Sequence, residues 1–295
     1  MTEKDAISTP PETLHMDWSE PLPDFANPPV SEVALSFQFE PLKGLTGPVL
    51  GLLWGSFKSD YPKVEEHPTL EPVIERFGAD LPIPKVSFQF QVLEAAPPMR
   101  VWFLNEAETE LVQVQQDRFV HNWRKVTDSD QYPRYSSLRS KFLVEYEKFE
   151  RFVRQENLGA LAFNQVEVTF VNKIVSGEGW ERHGQLSKVL TIHSGSYSDD
   201  FFKEPENIQT ALRYVIPGET STDKPRGRLH INVVPVITKA QRPALILTII
   251  ARCTPNGSLE DAVVCLDLAH KWIVKGFASI TTKEMHRVWG RKDDV

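Results

Sequence analysis

The sequence has few cysteines, no long apolar run and no excess of basic residues, and each absence excludes a class of protein. Its 295 residues include two cysteines, Cys253 and Cys265, too few for a disulfide framework. No apolar stretch reaches the ~18 residues that a membrane span needs. A formal net charge of -7 disfavours non-specific nucleic-acid binding, which requires a dominant basic surface. The composition therefore predicts a cytoplasmic globular protein with reduced thiols and no membrane association.

Motifs that define catalytic or cofactor sites are also missing. The chain has no G-x-S-x-G nucleophile elbow and no H-E-x-x-H or C-x-x-C metal motif. Gly177, Gly179 and Gly184 neither match a dinucleotide fingerprint nor precede a helix pattern. We therefore predict no cofactor, no metal and no catalytic residue, and the sequence favours a binding or interaction protein over an enzyme.

Residues 111–174 set the architecture that the sequence predicts. The middle of this segment carries apolar residues at three- and four-residue steps, which is typical of an amphipathic helix. The helix is expected to begin at Ser136 or Ser137, whose hydroxyl can cap it, and to end at Asn157 and Gly159. Its apolar stripe consists of Leu138, Phe142, Tyr146, Phe149 and Val153, and Glu145 belongs to the opposite, charged face.

Other stretches alternate apolar and polar residues with a period of two. This pattern predicts antiparallel strands with one packed face and one face that is wet or lines a groove. The two longest runs, 228–239 and 243–253, are expected to form a hairpin across 240–242. The remaining predicted strands cover 33–39, 85–93, 99–105, 111–123, 166–174 and 186–195.

The order of strand, variable insert, strands and long helix occurs twice. The second long helix is expected to be capped by Ser258 and stopped by Gly276. Short helices are expected within 49–61 and within 198–216. We therefore predict an α+β fold of two antiparallel sheet-plus-long-helix units, similar in plan to helix-grip or TATA-binding folds, with an internal duplication. The expected parts are an N-terminal arm (1–29), a first unit (30–160) and a second unit (161–295).

The arm is acidic and rich in proline, which is typical of extended chain. Two alternatives are open: the arm docks on the body or on a second subunit, or it stays undocked. A homodimer through the arm or a sheet edge is compatible with either. The residues available for docking are Leu14, Met16, Trp18 and Phe25.

Polar, aromatic and basic residues cluster at strand ends and around the turn before the first long helix. Sites commonly lie at such positions. We predict a recognition groove there, for a protein partner or a small ligand. The candidate binding residues are Asp117, Arg118, Asn122, Trp123, Tyr132, Arg134, Asn172 and Lys173.

Two other functions are compatible with the sequence. One is a hydrolase-type enzyme without a recognisable motif, which would use His183 or His193. The other is a nucleic-acid-associated protein, because Arg118, Trp123 and Arg124 combine charge with an aromatic ring. The acidic net charge makes nucleic acid the less favoured partner.

Four strings carry a resemblance to a known family. They are PPVSEVALSFQF at 28–39, VQVQQDRF at 112–119 with Asn122-Trp123, YPRY at 132–135 and VEVTFVNKI at 166–174. With these strings the chain resembles a sporadically distributed bacterial protein family of unknown function, over 28–174 more closely than in the C-terminal half. The resemblance implies a soluble bacterial protein of patchy occurrence, such as an accessory protein of a mobile or defence locus. It implies no reaction, no cofactor and no site.

Overall fold

A computed structural model describes residues 21–77, 99–193, 201–202, 204–218 and 223–292. Over these residues the strands form one antiparallel sheet in the order β2-β3-β4-β5-β1-β6-β9-β8-β7. Four α-helices are described: α1 (Gly47–Trp54), α2 (Tyr135–Gln155), α3 (Leu259–Ile280) and α4 (Lys283–Trp289). The strands are β1 (Val30–Phe39), β2 (Lys63–Pro68), β3 (Met99–Leu104), β4 (Glu110–Gln115), β5 (Arg118–Arg124), β6 (Phe163–Val175), β7 (Thr210–Ile216), β8 (Gly227–Ile237) and β9 (Pro243–Cys253).

Strands β1 and β6 lie at the centre of the sheet. Their alternating pattern places apolar side chains on one face, where Phe37 lies opposite both Phe119 of β5 and Val166 of β6. Because the strands pair directly, the predicted units share one sheet rather than forming two separate sheets. The α+β class with an antiparallel sheet is confirmed, whereas the duplication stays a prediction.

Helix α2 packs its predicted apolar stripe on this face. Phe142, Tyr146 and Phe149 are buried, and the ring of Phe142 lies 4.7 Å from that of Phe37. Burying each such side chain contributes roughly 1.5–3 kcal/mol to stability. The helix begins at Tyr135 without a side-chain cap, so the predicted serine cap is absent. The prediction for Glu145 was also wrong, because its side chain is buried.

Helix α3 covers the other half of the same face, over β6, β8 and β9. The hydroxyl of Ser258 accepts a hydrogen bond from the backbone N–H of Asp261 at 3.2 Å, which confirms the predicted cap. The helix continues past Gly276, so the predicted stop was wrong. A Cβ at Gly276 would lie 3.1 Å from Leu229, which shows that this glycine allows close packing. Among the described helices none is long and apolar enough to cross a membrane.

Three other element predictions differ from the structure. The single strand expected over 111–123 is a hairpin, β4 and β5, which turns at Gln116 and Asp117. The strand expected over 186–195 is replaced by a short 3₁₀ helix, His183–Lys188. The stretch 210–216, where a helix was expected, is strand β7, because its β-branched residues favour extended backbone. The strand predicted over 85–93 lies outside the described residues.

The other face of the sheet is polar. It carries buried polar side chains on β1, β4, β5, β6 and β8, and we call it the polar face. Residues 69–77, which we call the cover segment, contact it through hydrogen bonds on β4, β5 and β6 and ion pairs on β8 and β9. The buried polar residues of the polar face include Ser36, Gln38, Gln113, Gln115, Arg118, Asn122, Gln165 and Arg228.

The end of the N-terminal arm docks on the body. Phe25 is buried, and its ring packs edge-on against Phe277 and Trp289 at 5.5 and 6.2 Å. The backbone N–H of Ala26 donates to the carbonyl of Gly290 at 2.8 Å. Docking at Phe25 is therefore observed. Leu14, Met16 and Trp18 lie outside the described residues.

Candidate ligand-binding site

The structure separates the candidate binding residues into two groups on opposite faces of the sheet. Tyr132, Arg134 and Asn172 line a first cavity on the helix-covered side, and Tyr132, Arg134 and Lys173 line a second cavity that adjoins it. The buried ring of Trp123 packs against the ring of Tyr132, with 5.7 Å between the ring centroids. Asp117, Arg118 and Asn122 lie at the polar face. Successive strand residues point to opposite faces, so Asn122 and Trp123 do not share a site.

The first cavity has a volume of about 310 Å³ and lies between the start of α2, β6, α3 and the arm. Phe170 of β6 and Ile273 and Phe277 of α3 form apolar walls. Tyr132 adds an aromatic wall, and its ring meets that of Phe170 edge-on at 6.1 Å. The volume falls within the range of small-molecule sites, which are mostly apolar with a few polar groups.

Arg134 holds the arm at the rim of this cavity. Its guanidinium donates to Asp24 at 3.1 Å and to the carbonyls of Phe25 and Ala26 at 2.9 and 3.3 Å. The φ of Arg134 is +73°, a backbone region that is costly for a residue with a Cβ. Pro133 fixes the preceding backbone, and the strained turn aims the guanidinium at the arm.

His270 of α3 closes the cavity beside the start of α2. Its ring stacks on Tyr135 with a centroid distance of 3.7 Å and an interplanar angle of 3°. Burial lowers the pKa of His270 to about 4, against the opposing charge of Asp267. The imidazole is therefore neutral near pH 7. The hydroxyl of Tyr135 donates to Asp267 at 3.1 Å, and Arg139 binds both carboxylate oxygens at 2.7 and 2.9 Å.

The second cavity, about 540 Å³, is polar and shares Pro28, Val30, Tyr132 and Arg134 with the first. Lys125, Lys173 and Arg242 also line it, as do two acids, Asp130 and Glu178. Within the ranges that the structure describes, neither Lys125 nor Lys173 forms a salt bridge, although Lys125 interacts electrostatically with Asp130. Both lysines can attract an anion. An apolar chamber therefore adjoins a basic one.

The histidines proposed for a hydrolase have other partners. Nε2 of His183 lies 3.0 and 3.1 Å from the carbonyl oxygens of Val236 and Ala244, and Nε2 of His193 lies 3.0 Å from the hydroxyl of Thr210. A general base is commonly oriented by a carboxylate, and none of these contacts involves one.

Cys253 and Cys265 are free and buried, as predicted. In the described part of the chain, no three His, Cys, Asp or Glu residues are placed to hold a metal ion.

The residues of α3 that line the first cavity were not predicted. His270 lies within the predicted second helix but was not assigned to a site, and Phe277 lies beyond Gly276, the residue expected to end that helix. The sequence did carry a signal for Phe277: it follows Ile273 by four residues, so the helical spacing of apolar residues continues past Gly276.

Comparisons of the whole chain with family models, curated proteins and solved structures find no match in any of the three. The site is therefore interpreted from its own geometry.

Proposed function

We propose that the protein is a non-catalytic binding protein whose ligand is a small carboxylic acid with an apolar, aromatic body. One observation carries the proposal: an aromatic cavity of about 310 Å³ adjoins a cavity lined by Lys125 and Lys173, neither of which forms a salt bridge with a described residue. The body of the ligand would fill the first cavity and its carboxylate would point into the second.

The two chambers match the two parts of such a ligand. Aromatic pairs with Phe170 and Tyr132 contribute about 0.5–1.5 kcal/mol each beyond the area they bury. A charge-assisted hydrogen bond from a lysine ammonium to a carboxylate is stronger than a neutral one and orients the ligand. The neutral ring of His270 adds a flat wall without introducing a charge into the apolar chamber.

Calorimetric titration with 4-phenylbutyrate and with its neutral amide tests the proposal. We expect the acid to bind and the amide to bind about ten-fold more weakly, which corresponds to ~1.4 kcal/mol. Val274→Phe fills the first cavity and should abolish binding, whereas Val264→Phe on the exposed face of α3 should not. Lys173→Gln should weaken the acid alone, with Lys43→Gln as the surface control. Equal binding of acid and amide, or no binding of either, contradicts the proposal.

We also propose that the two halves of the chain are duplicated units. Each half runs from a central strand through a short helix to an antiparallel series of strands and then a long helix. In each half the last strand before the long helix pairs with the central strand: β5 with β1, and β9 with β6. Superposition should place α2 on α3 and β5 on β9. A best superposition that pairs them differently contradicts the duplication.

A cytoplasmic location and a role in a bacterial accessory locus are further proposals. The two free, buried thiols support the first, because oxidising compartments favour disulfides. The sequence resemblance supports the second. Cell fractionation of a producing bacterium should recover the protein with the cytoplasm, and recovery in a periplasmic fraction contradicts the location.

A further inference from the structure

The cover segment crosses the polar face from strand to strand. It reaches from β4, where Leu70 is bound, to β8, where Arg76 is bound. Those strands are five positions apart in the sheet, or ~24 Å at the usual spacing between strands. Six residues of chain span at most ~20–22 Å, so an extended segment reaches both strands with the added length of the Gln115 and Arg228 side chains. Pro72 contributes to this, because the residue before a proline avoids helical backbone.

A row of amide and guanidinium side chains lies beneath the segment. Gln115 lies opposite Arg118, Arg118 opposite Gln38, and Gln38 opposite Gln165, so the four residues follow one another on β4, β5, β1 and β6. Asp117 orients two of them, because its Oδ1 accepts from Gln115 at 2.6 Å and from Arg118 at 3.2 Å. The row is continuous across the first four strands under the segment.

This row binds the main chain of the segment rather than its side chains. Gln115 accepts from the N–H of Leu70 at 2.9 Å and donates to its carbonyl at 3.0 Å. Gln165 accepts from the N–H of Glu75 at 3.0 Å and donates to the carbonyl of Val73 at 2.6 Å. Paired donation and acceptance by an amide is what a peptide main chain requires, whereas a phosphate backbone offers acceptors alone.

One side chain of the segment is bound specifically. The Glu75 carboxylate pairs with Arg228, lies 2.6 Å from Nε2 of His230 and 3.4 Å from Arg252, and is 5% exposed. Burial opposes ionisation, but the hydrogen bond from His230 and the charges of His230, Arg228 and Arg252 lower the pKa of Glu75 to about 2. Glu167 lies 2.5 Å from Arg252 and balances part of the positive charge. The far end of the row is therefore a carboxylate subsite.

Three apolar side chains of the segment are exposed, whereas its fourth large one, Phe77, is partly buried with its ring 4.7 Å from the guanidinium of Arg228. Leu70, Val73 and Ile74 are 41%, 50% and 48% exposed. A segment that served only to cover the sheet would be expected to bury such residues. Ser36, beneath it on β1, is 3% exposed and its hydroxyl has no hydrogen-bond partner in the described residues. The face therefore binds a backbone and a carboxylate, and keeps one buried polar group unused.

We propose that the polar face is a binding site for an extended peptide of a partner protein, and that the cover segment is its intramolecular ligand. The peptide binds through its main chain to Gln115, Arg118 and Gln165. An acidic residue at the position of Glu75 enters the subsite of Arg228, His230 and Arg252. This site is distinct from the ligand cavity, which lies on the opposite face of the sheet.

Exchange of the segment for a peptide conserves the interactions. An incoming main chain makes the same hydrogen bonds that the segment gives up, so the number of hydrogen bonds to the face is unchanged. Leu70, Val73 and Ile74 are about half exposed, so the release of the segment forfeits only part of their hydrophobic free energy together with the contact of Phe77 with Arg228. Competition between the two chains is then set by their local concentrations.

The test uses a fluorescein-labelled peptide with the sequence PTLEPVIERFG, residues 68–78. Wild-type protein should bind it weakly, because its own segment occupies the site. Glu75→Ala in the protein should raise the affinity about ten-fold or more, whereas Glu71→Ala, which alters an exposed carboxylate of the same segment, should not. In the Glu75→Ala background, Arg228→Gln should abolish binding.

Peptide variants identify what is bound. Replacing the glutamate at the Glu75 position with glutamine should remove binding, and replacing the residues at the Val73 and Ile74 positions with serine should leave it unchanged. Hydrogen exchange of residues 69–77 in wild-type protein gives a second readout: excess peptide should accelerate it. Lack of peptide binding to folded Glu75→Ala protein together with unchanged exchange overturns the proposal, and so does displacement of the peptide by a single-stranded DNA oligomer.

Discussion

Nδ1 of His121 on β5 lies 2.7 Å from Oε2 of Glu145 on α2, and both side chains are buried. The other oxygen of Glu145 accepts a hydrogen bond from the hydroxyl of Tyr61. A carboxylate removed from water is stable only when it is paired or hydrogen-bonded, and these two partners satisfy it. The contact joins helix α2 to the sheet and to the chain segment that precedes β2.

Removing Glu145 should destabilise the fold. In the Glu145→Ala variant, His121 and Tyr61 are left buried without their partner, and we expect a loss of about 2–4 kcal/mol in the free energy of unfolding. Urea unfolding measures the loss. Glu147→Ala, two residues further on α2, removes an exposed ion pair with Arg151 and should change stability by less than ~0.5 kcal/mol. Equal effects of the two variants would show that the buried contact adds nothing.

His270 should make stability depend on pH. Its pKa is about 4 in the fold and ~6.5 in an unfolded chain, so the unfolded chain binds more protons between these values. The stability that neutral His270 contributes is present above pH ~6.5 and is lost as the pH falls towards 4. At pH 5 the loss should be about 2 kcal/mol in wild-type protein and absent in His270→Phe. Ile273→Val, a change without a titrating group beside the same cavity, should retain the wild-type pH dependence.

Gly227 should not tolerate a side chain. A Cβ there would collide with the carbonyl oxygen of Arg252 on β9 and lie 3.0 Å from the Cα of Cys253. Gly227→Ala therefore has to separate β8 from β9, and we expect a destabilisation of about 1–3 kcal/mol. Gly51 of α1 has nothing within 4 Å of the added atom, so Gly51→Ala should stabilise by ~0.5–1 kcal/mol. Thermal unfolding of both variants compares them, and a neutral Gly227→Ala contradicts the backbone clash.

Phe25 should hold the arm and helix α4 together. Its ring contacts Phe277, His286 and Trp289, so Phe25→Ala leaves a cavity among them and should cost about 3–5 kcal/mol. Phe201→Ala is the matched control, because Phe201 is 82% exposed and its loss should have little effect. Chemical unfolding distinguishes the two. Similar midpoints for both variants would show that the arm docks without stabilising the fold.

The sequence predicted elements that depend on local periodicity. The stripe of α2 and the alternation of β1 and β6 are properties of contiguous residues, and the structure has both. The union of the strands into one sheet was not predicted, because it depends on the pairing of β1 with β6, which are distant in the chain. The early end assigned to α3 failed because Gly276 fits against Leu229 within the helix.

The candidate sites were predicted in part for the same reason. Tyr132 and Arg134 are neighbours around one turn, so their joint position at the cavity could be inferred locally. Alternation in β4 indicated a face that is wet or lines a groove, but not what lies in the groove. That face is covered by residues 69–77, and their contact with Gln115 and Gln165 cannot be inferred from either stretch alone.

The pairing of Phe39 with Phe163 at the middle of the sheet also governs how the chain folds. All of the chain from α1 to α2 forms a loop that has to close before these two strands meet, and loops of this length slow folding. During synthesis, β1 leaves the ribosome long before β6 does. Until β6 is made, the backbone groups on one edge of β1 stay unpaired, close to the apolar side chains of Phe37 and Phe39. Aggregation or chaperone binding should be greatest during this interval.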